Sequence, residues 1–422
     1  MRPLEILFLI PNLVYFGWRL VLPAQQPRWL NWLPGLAVLL MLAQLLFEGY
    51  RWQLIPAYGL TLLVFGLALI GWARSGHAVR RRAISMALDL LGCLLIVLVA
   101  LPPLLLPIPH DLPLTGPHRV GTVTMHWVDT TRSEIYSGRA NEPRELMAQI
   151  WYPAEPVATA TTTPWLDHVE VLGPALAARL NLPSYFLDHL MYVNTQSYRD
   201  APVSPAEAQY PVLLFSHGWG GFRAQNTHQI EELASHGYII AAIDHPYDAA
   251  ATVFPDGRVA LHNDGILSAS TSPAELQQAA AQLVQQRAGD LTFVLDQLTD
   301  LNAADPAGRL TGRLDLSRGG VFGHSMGGGT TIEFCAHDAR CQAALTMDAY
   351  LLPVSTDVSP PVCASRSWRC SVSAGRRLRI TACSIGCFTR RAERPMMRSS
   401  PASRIMTSAI FRRSRPSRPC LV

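Results

Sequence analysis

Apolar residues dominate the first 109 positions and then give way to short, spaced runs. Three stretches are strongly apolar: Leu33 to Phe47, Leu54 to Ala73 and Ile84 to Ile108. Each approaches or exceeds the roughly 20 residues with which a helix spans a bilayer. A fourth, Leu4 to Leu22, is interrupted by Pro11, Asn12 and Arg19. Trp18, Trp29, Trp32, Trp52 and Trp72 lie near the ends of these runs, where interfacial aromatics belong. A single cleavable signal segment does not account for three or four such runs. The pattern therefore predicts an all-α transmembrane region of three to four helices over residues 1–109. The loop before the last run carries Arg74, Arg80, Arg81 and Arg82. The positive-inside tendency makes that loop cytoplasmic and sends residue 110 onward to the extracytoplasmic side. The expected location is a multi-pass membrane protein of a bacterial inner membrane.

Residues 110–358 carry the pattern of a soluble α/β domain. Val120 to Trp127 and Leu146 to Tyr152 are rich in β-formers and read as strands. Residues 159–209 mix short helical pieces and suit a substrate entrance. Two apolar runs, Pro211 to Ser216 and Tyr238 to Asp244, flank a helical segment, Asn226 to Ser235. Strand, helix, strand in that order predicts a parallel sheet. Asp256-Gly257 marks the turn of a hairpin. Residues 273–301 form the longest soluble helical pattern. Gly320 to Phe322 reads as a buried strand and Thr330 to Ala336 as a helix.

Composition alters this picture at the carboxyl end. The chain has a formal charge of +4, but residues 1–358 hold 21 Arg against 30 acids, a net of −9. Residues 359–422 hold 14 Arg against one acid, Glu393, a net of +13. The basic balance thus belongs to the tail, and it is no argument for nucleic-acid binding by the body. There is no Lys at all, as expected of a GC-rich coding sequence. Cys335 and Cys341 are spaced for a disulfide or for two ordinary thiols. Cys363, Cys370, Cys383 and Cys387 lack the paired spacing of a zinc site. No metal or organic cofactor is expected.

The chemistry centres on Gly323-His324-Ser325-Met326-Gly327. It fits G-x-S-x-G, follows the apolar pair Val321-Phe322 and precedes a helical pattern. That is the context of a nucleophile elbow, in which a serine projects from a strained strand-to-helix turn. Upstream, His217-Gly218-Trp219-Gly220-Gly221 follows the strand Val212 to Phe215. A turn there supplies one backbone donor of an oxyanion hole, and the residue after the nucleophile supplies the other. This assigns the amides of Trp219 and Met326, with His217, Gly218, Gly323 and Gly327 as supporting turn residues. His217 reads as structural. Asp348 ends the apolar run Ala343 to Leu345 plus Thr346-Met347, 23 residues after Ser325. Chain order makes it the candidate triad acid.

The segments FSHGWGGFRAQ, ELASHGYIIAAIDHPYDA, GGVFGHSMGGGTTIEF and TMDAYLLP resemble the platelet-activating-factor acetylhydrolase family in its plasma and type II forms. The resemblance covers roughly residues 120–355 and includes bacterial relatives. It implies an α/β-hydrolase fold and a calcium-independent serine esterase that removes short or oxidised acyl chains, usually sn-2 acetyl groups of phospholipids. It also implies Ser325 as nucleophile, Asp348 as acid, and Trp219 and Met326 as oxyanion donors. A broader carboxylesterase or dienelactone-type hydrolase is a second reading of the elbow. A membrane-bound pseudoenzyme is a third.

The third reading has a specific cause. The family places its catalytic histidine after the acid, and the last histidine of these 422 residues is His337. His245, His324 and His337 are substitutes outside the triad order. Residues 359–422 are Arg-, Ser-, Pro- and Cys-rich without helical or strand period, and are expected to be an aberrant, disordered tail. Reading the codons of Arg404 to Arg412 shifted by one base, with suitable synonymous choices, yields His-His-Asp-Phe-Ser-Asp-Ile-Pro. That resembles the family's H-x-x-F-x-D segment, which bears the catalytic histidine. A frameshift between about Pro353 and Pro361 is the expected origin of the tail. The rival is a basic arm that binds anionic lipid. Loss of the last strand and helix would leave one flank of the sheet exposed.

Overall fold

The computed structural model describes residues 1–73, 82–109, 112–155, 161–267 and 272–355. The chain forms two compact units. The predicted tail and most of the arginine-rich loop lie outside the described residues.

The first unit contains helices α1 (Pro3–Val21), α2 (Leu33–Phe47), α3 (Ile55–Ala73) and α4 (Arg82–Leu105). Four helical segments are long and apolar enough to cross a membrane: Pro3–Val21, Arg28–Phe47, Trp52–Trp72 and Ala83–Leu105. The interrupted run at the amino end is thus a helix that continues through Pro11. The polar residues that interrupt it are used between helices. Asn12 donates to Thr61 Oγ1 on α3 at 2.9 Å, and Arg19 pairs with Asp89 on α4 at 2.9 Å. Buried Glu5 receives both of its Arg51 hydrogen bonds at 3.0 Å. Such pairing is what allows polar groups in an apolar surround. Tyr185–Val193 clusters with this unit. There the Trp52 indole donates to the Phe186 carbonyl at 3.2 Å and meets the Tyr185 ring edge-on at 5.3 Å.

The second unit is a three-layer α/β structure. In chain order it holds β1 (Arg119–Ser133), β2 (Pro143–Ala154), β3 (Thr162–Pro164), α5 (Val169–Arg179), β4 (Asn194–Arg199), β5 (Tyr210–Ser216), α6 (Thr227–Ser235) and β6 (Ile239–Asp244). A hairpin, β7 (Ala251–Val253) and β8 (Val259–Leu261), follows with Asp256-Gly257 in its turn. Then come α7 (Pro273–Ala304), β9 (Leu314–His324), α8 (Met326–His337) and β10 (Ala343–Met347). The main sheet runs β10-β9-β5-β6-β2-β1-β4-β3. Strands β10, β9, β5 and β6 are parallel, whereas β2 pairs antiparallel with both β6 and β1. The sheet is thus mixed and mostly parallel, as expected, with its parallel half bearing the elbow. Strands β1, β2 and β9 are longer than their apolar cores, because ladder hydrogen bonds extend into polar residues that hydropathy does not count.

Strand β6 shows why the central runs are continuously apolar. Ile239, Ala241 and Ile243 face α7 and pack with Leu291, Val294 and Leu298. Ile240 and Ala242 face α6 and pack with Ile230, Leu233 and Ala234. A strand covered on both faces loses its polar alternation. Helix α7 starts on a capping box, with Ser272 accepting from the Glu275 amide. Cys335 and Cys341 are joined as a disulfide. Strand β10 is the sheet edge among the described residues. This is the α/β-hydrolase arrangement, behind a helical amino-terminal region.

Candidate active site

Ser325 sits between β9 and α8 with φ 52° and ψ −114°. A non-glycine residue in that region costs on the order of 1–3 kcal/mol, and it persists only where neighbours hold it. Here they do. The Ser325 amide donates to the Met347 carbonyl at 2.9 Å. The Ser325 carbonyl accepts from Tyr350, Gly328 and Gly329 at 2.8, 3.0 and 3.2 Å. The elbow is therefore stitched to the end of β10. Gly323 is required on its inner side, since a Cβ there would lie 2.2 Å from the Gly327 carbonyl oxygen.

Asp348 follows β10 directly. The register Met347↔His324 sets it level with Ser325 on the neighbouring strand, with φ 48°. It is exposed, and its carboxylate has no hydrogen-bond or ion-pair partner among the described residues. The structure thus brings together the two residues that chain order paired.

The turn His217 to Gly221 lies against the elbow from the β5 side. A Cβ on Gly218 would stand 3.5 Å from the Ser325 Cβ. Gln225 bridges the two: its Oε1 accepts from the Gly218 amide at 3.1 Å, and its Nε2 donates to His324 Nδ1 at 3.1 Å. The Met326 amide opens α8 and has no intrahelical acceptor. The Trp219 amide has no acceptor among the described residues. The side chains of Trp219 and Met326 share one apolar cluster with Leu283 and Val284 of α7. Trp219 also meets the His262 ring edge-on at 4.4 Å. Amides without an acceptor among the described residues thus occur in both the turn, at Trp219, and the elbow, at Met326.

None of the substitute histidines reaches the serine. His245 is fully buried between Ser216 and Asp290. His324 points to Gln225, and His337 donates to the Glu333 carbonyl on the far end of α8. Among the described residues no imidazole hydrogen-bonds Ser325. His217 is buried and structural, as the sequence suggests.

Sequence reasoning missed the polar cluster beneath this turn. Asp290 on α7 binds Arg144 at 2.7 and 3.1 Å, Arg132 at 2.9 Å and His245 at 2.8 Å. Arg144 also pairs with Glu134, and Arg287 with Asp248 at 3.0 Å. Burial alone would raise the Asp290 pKa, but the Arg144 charge and the His245 hydrogen bond hold it well below the carboxylate range. Burial, with Arg287 beside it, pushes His245 down to about 3. Burial and Arg287 likewise hold His217 well below the usual histidine value. The signals available in the sequence were Arg and Asp inside otherwise apolar stretches, such as Arg287 and Asp290 in α7.

These shifts carry a pH dependence. Both rings are neutral in the folded unit and protonate near pH 6.5 once unfolded. Below that pH the unfolded state binds more protons, so stability rises with pH across the window from about 3 to about 6.5. Burial raises Asp244 and Asp248, which act the opposite way nearer the carboxylate range. Between pH 7 and 5.5 the histidines dominate. Melting of the hydrolase unit in detergent is expected to weaken there by up to about 1.4 kcal/mol per pH unit for each ring. A melting temperature flat over that interval would contradict the neutral, buried assignment.

The sequence model of the family described as platelet-activating factor acetylhydrolase, isoform II, matches residues 110–364. The chain belongs to that family. A platelet-activating factor acetylhydrolase of Cavia porcellus is 28% identical over 263 residues, 58% of this chain and 56% of its own. One from Gallus gallus is 26% identical over 269 residues, 57% and 60% of the two chains. The chain spans about half the length of the curated relatives it matches. A solved ferulic acid esterase from Streptomyces cinnamoneus is 31% identical, with a TM-score of 0.44, over 55% of this chain and 59% of that one. The family match contains the elbow, the oxyanion turn and Asp348.

Proposed function

We propose that this protein is a membrane-anchored serine hydrolase of short or oxidised acyl esters, acting through an acyl-Ser325 intermediate. A relative from Arthroderma benhamiae carries the name "Probable 1-alkyl-2-acetylglycerophosphocholine esterase", and that ester class is the proposed substrate. The observation that carries the reading is the strained Ser325 at its strand-to-helix turn, with the turn at Gly218 packed against it. Ser325 attacks the acyl carbonyl. The amides of Trp219 and Met326 take up the developing oxyanion. Asp348 orients the base imidazole. The Asp348 carboxylate, without a partner among the described residues, supports the idea that an imidazole supplied after it belongs there. The domain division is proposed as 1–109 in the membrane, 110–358 as hydrolase on the extracytoplasmic side, and 359–422 as an out-of-frame tail. The chain as written is then impaired, because no triad histidine follows Asp348.

A fluorophosphonate probe and p-nitrophenyl acetate turnover test the reading on the full chain in detergent. Slow turnover and labelling, both abolished by Ser325→Ala, are the expected result. Restoring the reading frame after Pro353 is expected to raise turnover by about 10⁴-fold or more, the usual worth of a triad member. Absence of labelling both before and after frame restoration would favour a lipid-binding pseudoenzyme instead.

A further inference from the structure

A second serine–histidine–aspartate chain lies beneath the oxyanion turn. Ser216 Oγ is 2.9 Å from His245 Nε2, and His245 Nδ1 is 2.8 Å from Asp290 Oδ2. All three residues are fully buried, at 0% exposure. No ester carbonyl can reach Ser216, so the chain is not a nucleophilic site.

Its proton positions follow from the partners. Asp290 is a carboxylate gripped by Arg144 and Arg132, and a carboxylate only accepts. His245 Nδ1 therefore carries the proton, and Nε2 accepts from the Ser216 hydroxyl. Arg287 donates to Ser216 Oγ at 3.2 Å and also to the His217 carbonyl. The His245 amide donates to His217 Nε2 at 3.3 Å. That leaves His217 Nδ1–H to donate to the Gly218 carbonyl at 2.6 Å. Every bond has one direction, and the chain ends on the backbone immediately before Trp219. The other side of the turn is tied by the Gly220 amide to the Asp248 carbonyl at 3.1 Å, and by the Ala250 amide to the Gly221 carbonyl at 2.8 Å.

We propose that Ser216, His245 and Asp290 are positioning residues that lock the peptide planes of His217 and Gly218, and so aim the Trp219 amide at the acyl oxygen on Ser325. The inference deepens the esterase reading and rests on it for the role of Trp219. A buried polar chain of this kind adds little stability over an apolar core of equal volume. Its particular use is to specify one geometry. An apolar pair at Ser216 and His245 would leave both peptide planes free to tilt. An oxyanion donor acts only when aimed before the charge develops.

The test is Ser216→Ala in the full chain, read in two ways. Amide hydrogen exchange at Gly220 and Gly221, whose amides are bonded to Asp248 and Gly218, is expected to quicken at least about 10-fold, with α8 and β10 unchanged. In a serine hydrolase without its base, the remaining rate comes from the oxyanion hole and binding. Residual p-nitrophenyl acetate kcat is therefore expected to fall about 10- to 100-fold at unchanged KM, since a mis-aimed donor loses less than the roughly 100- to 1000-fold of a deleted one. Exchange at the turn equal to that of the parent chain would overturn the proposal. So would exchange that quickens equally in α7, α8 and β6, which marks a general core role. If neither the parent chain nor the frame-restored chain gives turnover or labelling, the esterase reading is what fails, and exchange at the turn still decides the positioning.

Discussion

An Asp290→Ala chain is expected to lose about 3–5 kcal/mol of stability in its hydrolase unit, the cost of breaking a buried ion pair from one side. Asp290 lies inside α7 at 0% exposure and accepts from Arg144 twice, from Arg132 once and from His245 once. Alanine leaves Arg144 Nε and Nη2 and His245 Nδ1 without those acceptors in the buried interior, while Arg132 Nη1 keeps the Gln286 carbonyl. Arg144 keeps Glu134, and Arg132 keeps Asp129, so the charges are not wholly stranded. Even so, each unmet buried donor costs about 1–3 kcal/mol, more when charged. A domain holds only about 5–15 kcal/mol in total. The variant should therefore melt far below the parent or fail to accumulate. Circular dichroism melts in detergent check this, and a loss below about 1 kcal/mol would contradict the burial and pairing described for α7.

The second large effect is expected at Gly327. A Cβ there would stand 2.0 Å from the Ser216 carbonyl oxygen and 2.6 Å from that of His217. Both obstacles are backbone of the oxyanion turn, pinned by the buried chain, so no side chain can swing away. Gly327→Ala must push α8 off β5. Overpacking of this kind costs about 1–3 kcal/mol and occasionally more. The consequence for the site is larger. A displacement of about 1 Å between nucleophile and oxyanion donor costs on the order of 100-fold in rate. Fluorophosphonate labelling of Ser325 should fall by that factor or more. Gly173 in α5 is the control: its Cβ would meet only Val169 Cγ2, at 3.8 Å. Gly173→Ala should label as the parent does, and equal losses at both glycines would refute the close-approach argument.

The parts legible in the sequence were those that depend on neighbours along the chain. Membrane-length helices follow from unbroken hydropathy. The elbow follows from Gly323, Ser325 and Gly327 between an apolar strand and a helical pattern. Asp348 followed from chain order, and the register of β10 on β9 places it beside Ser325. Strand ends were less legible at β1 and β9, where ladder bonds run on through Asp129 and Asp315. Helix α1 was the least secure span because Pro11, Asn12 and Arg19 interrupt it. Its polar groups are met by Thr61 and Asp89, which lie 49 and 70 residues away in sequence.

The proposed function thus rests on features legible around Ser325: its motif, its context and the order of residues near it. What only the tertiary structure decided is how that serine is held. The left-handed backbone at Ser325 is fixed by hydrogen bonds to Met347 and Tyr350, from a strand that no local pattern links to the elbow. The oxyanion turn is fixed by Ser216, His245, Asp290 and Arg287, drawn from three separate elements. A polar residue in a buried stretch looks like a fault in one dimension. It becomes a support only when folding brings its partner within hydrogen-bonding distance, because the desolvation cost is offset at that range and nowhere else.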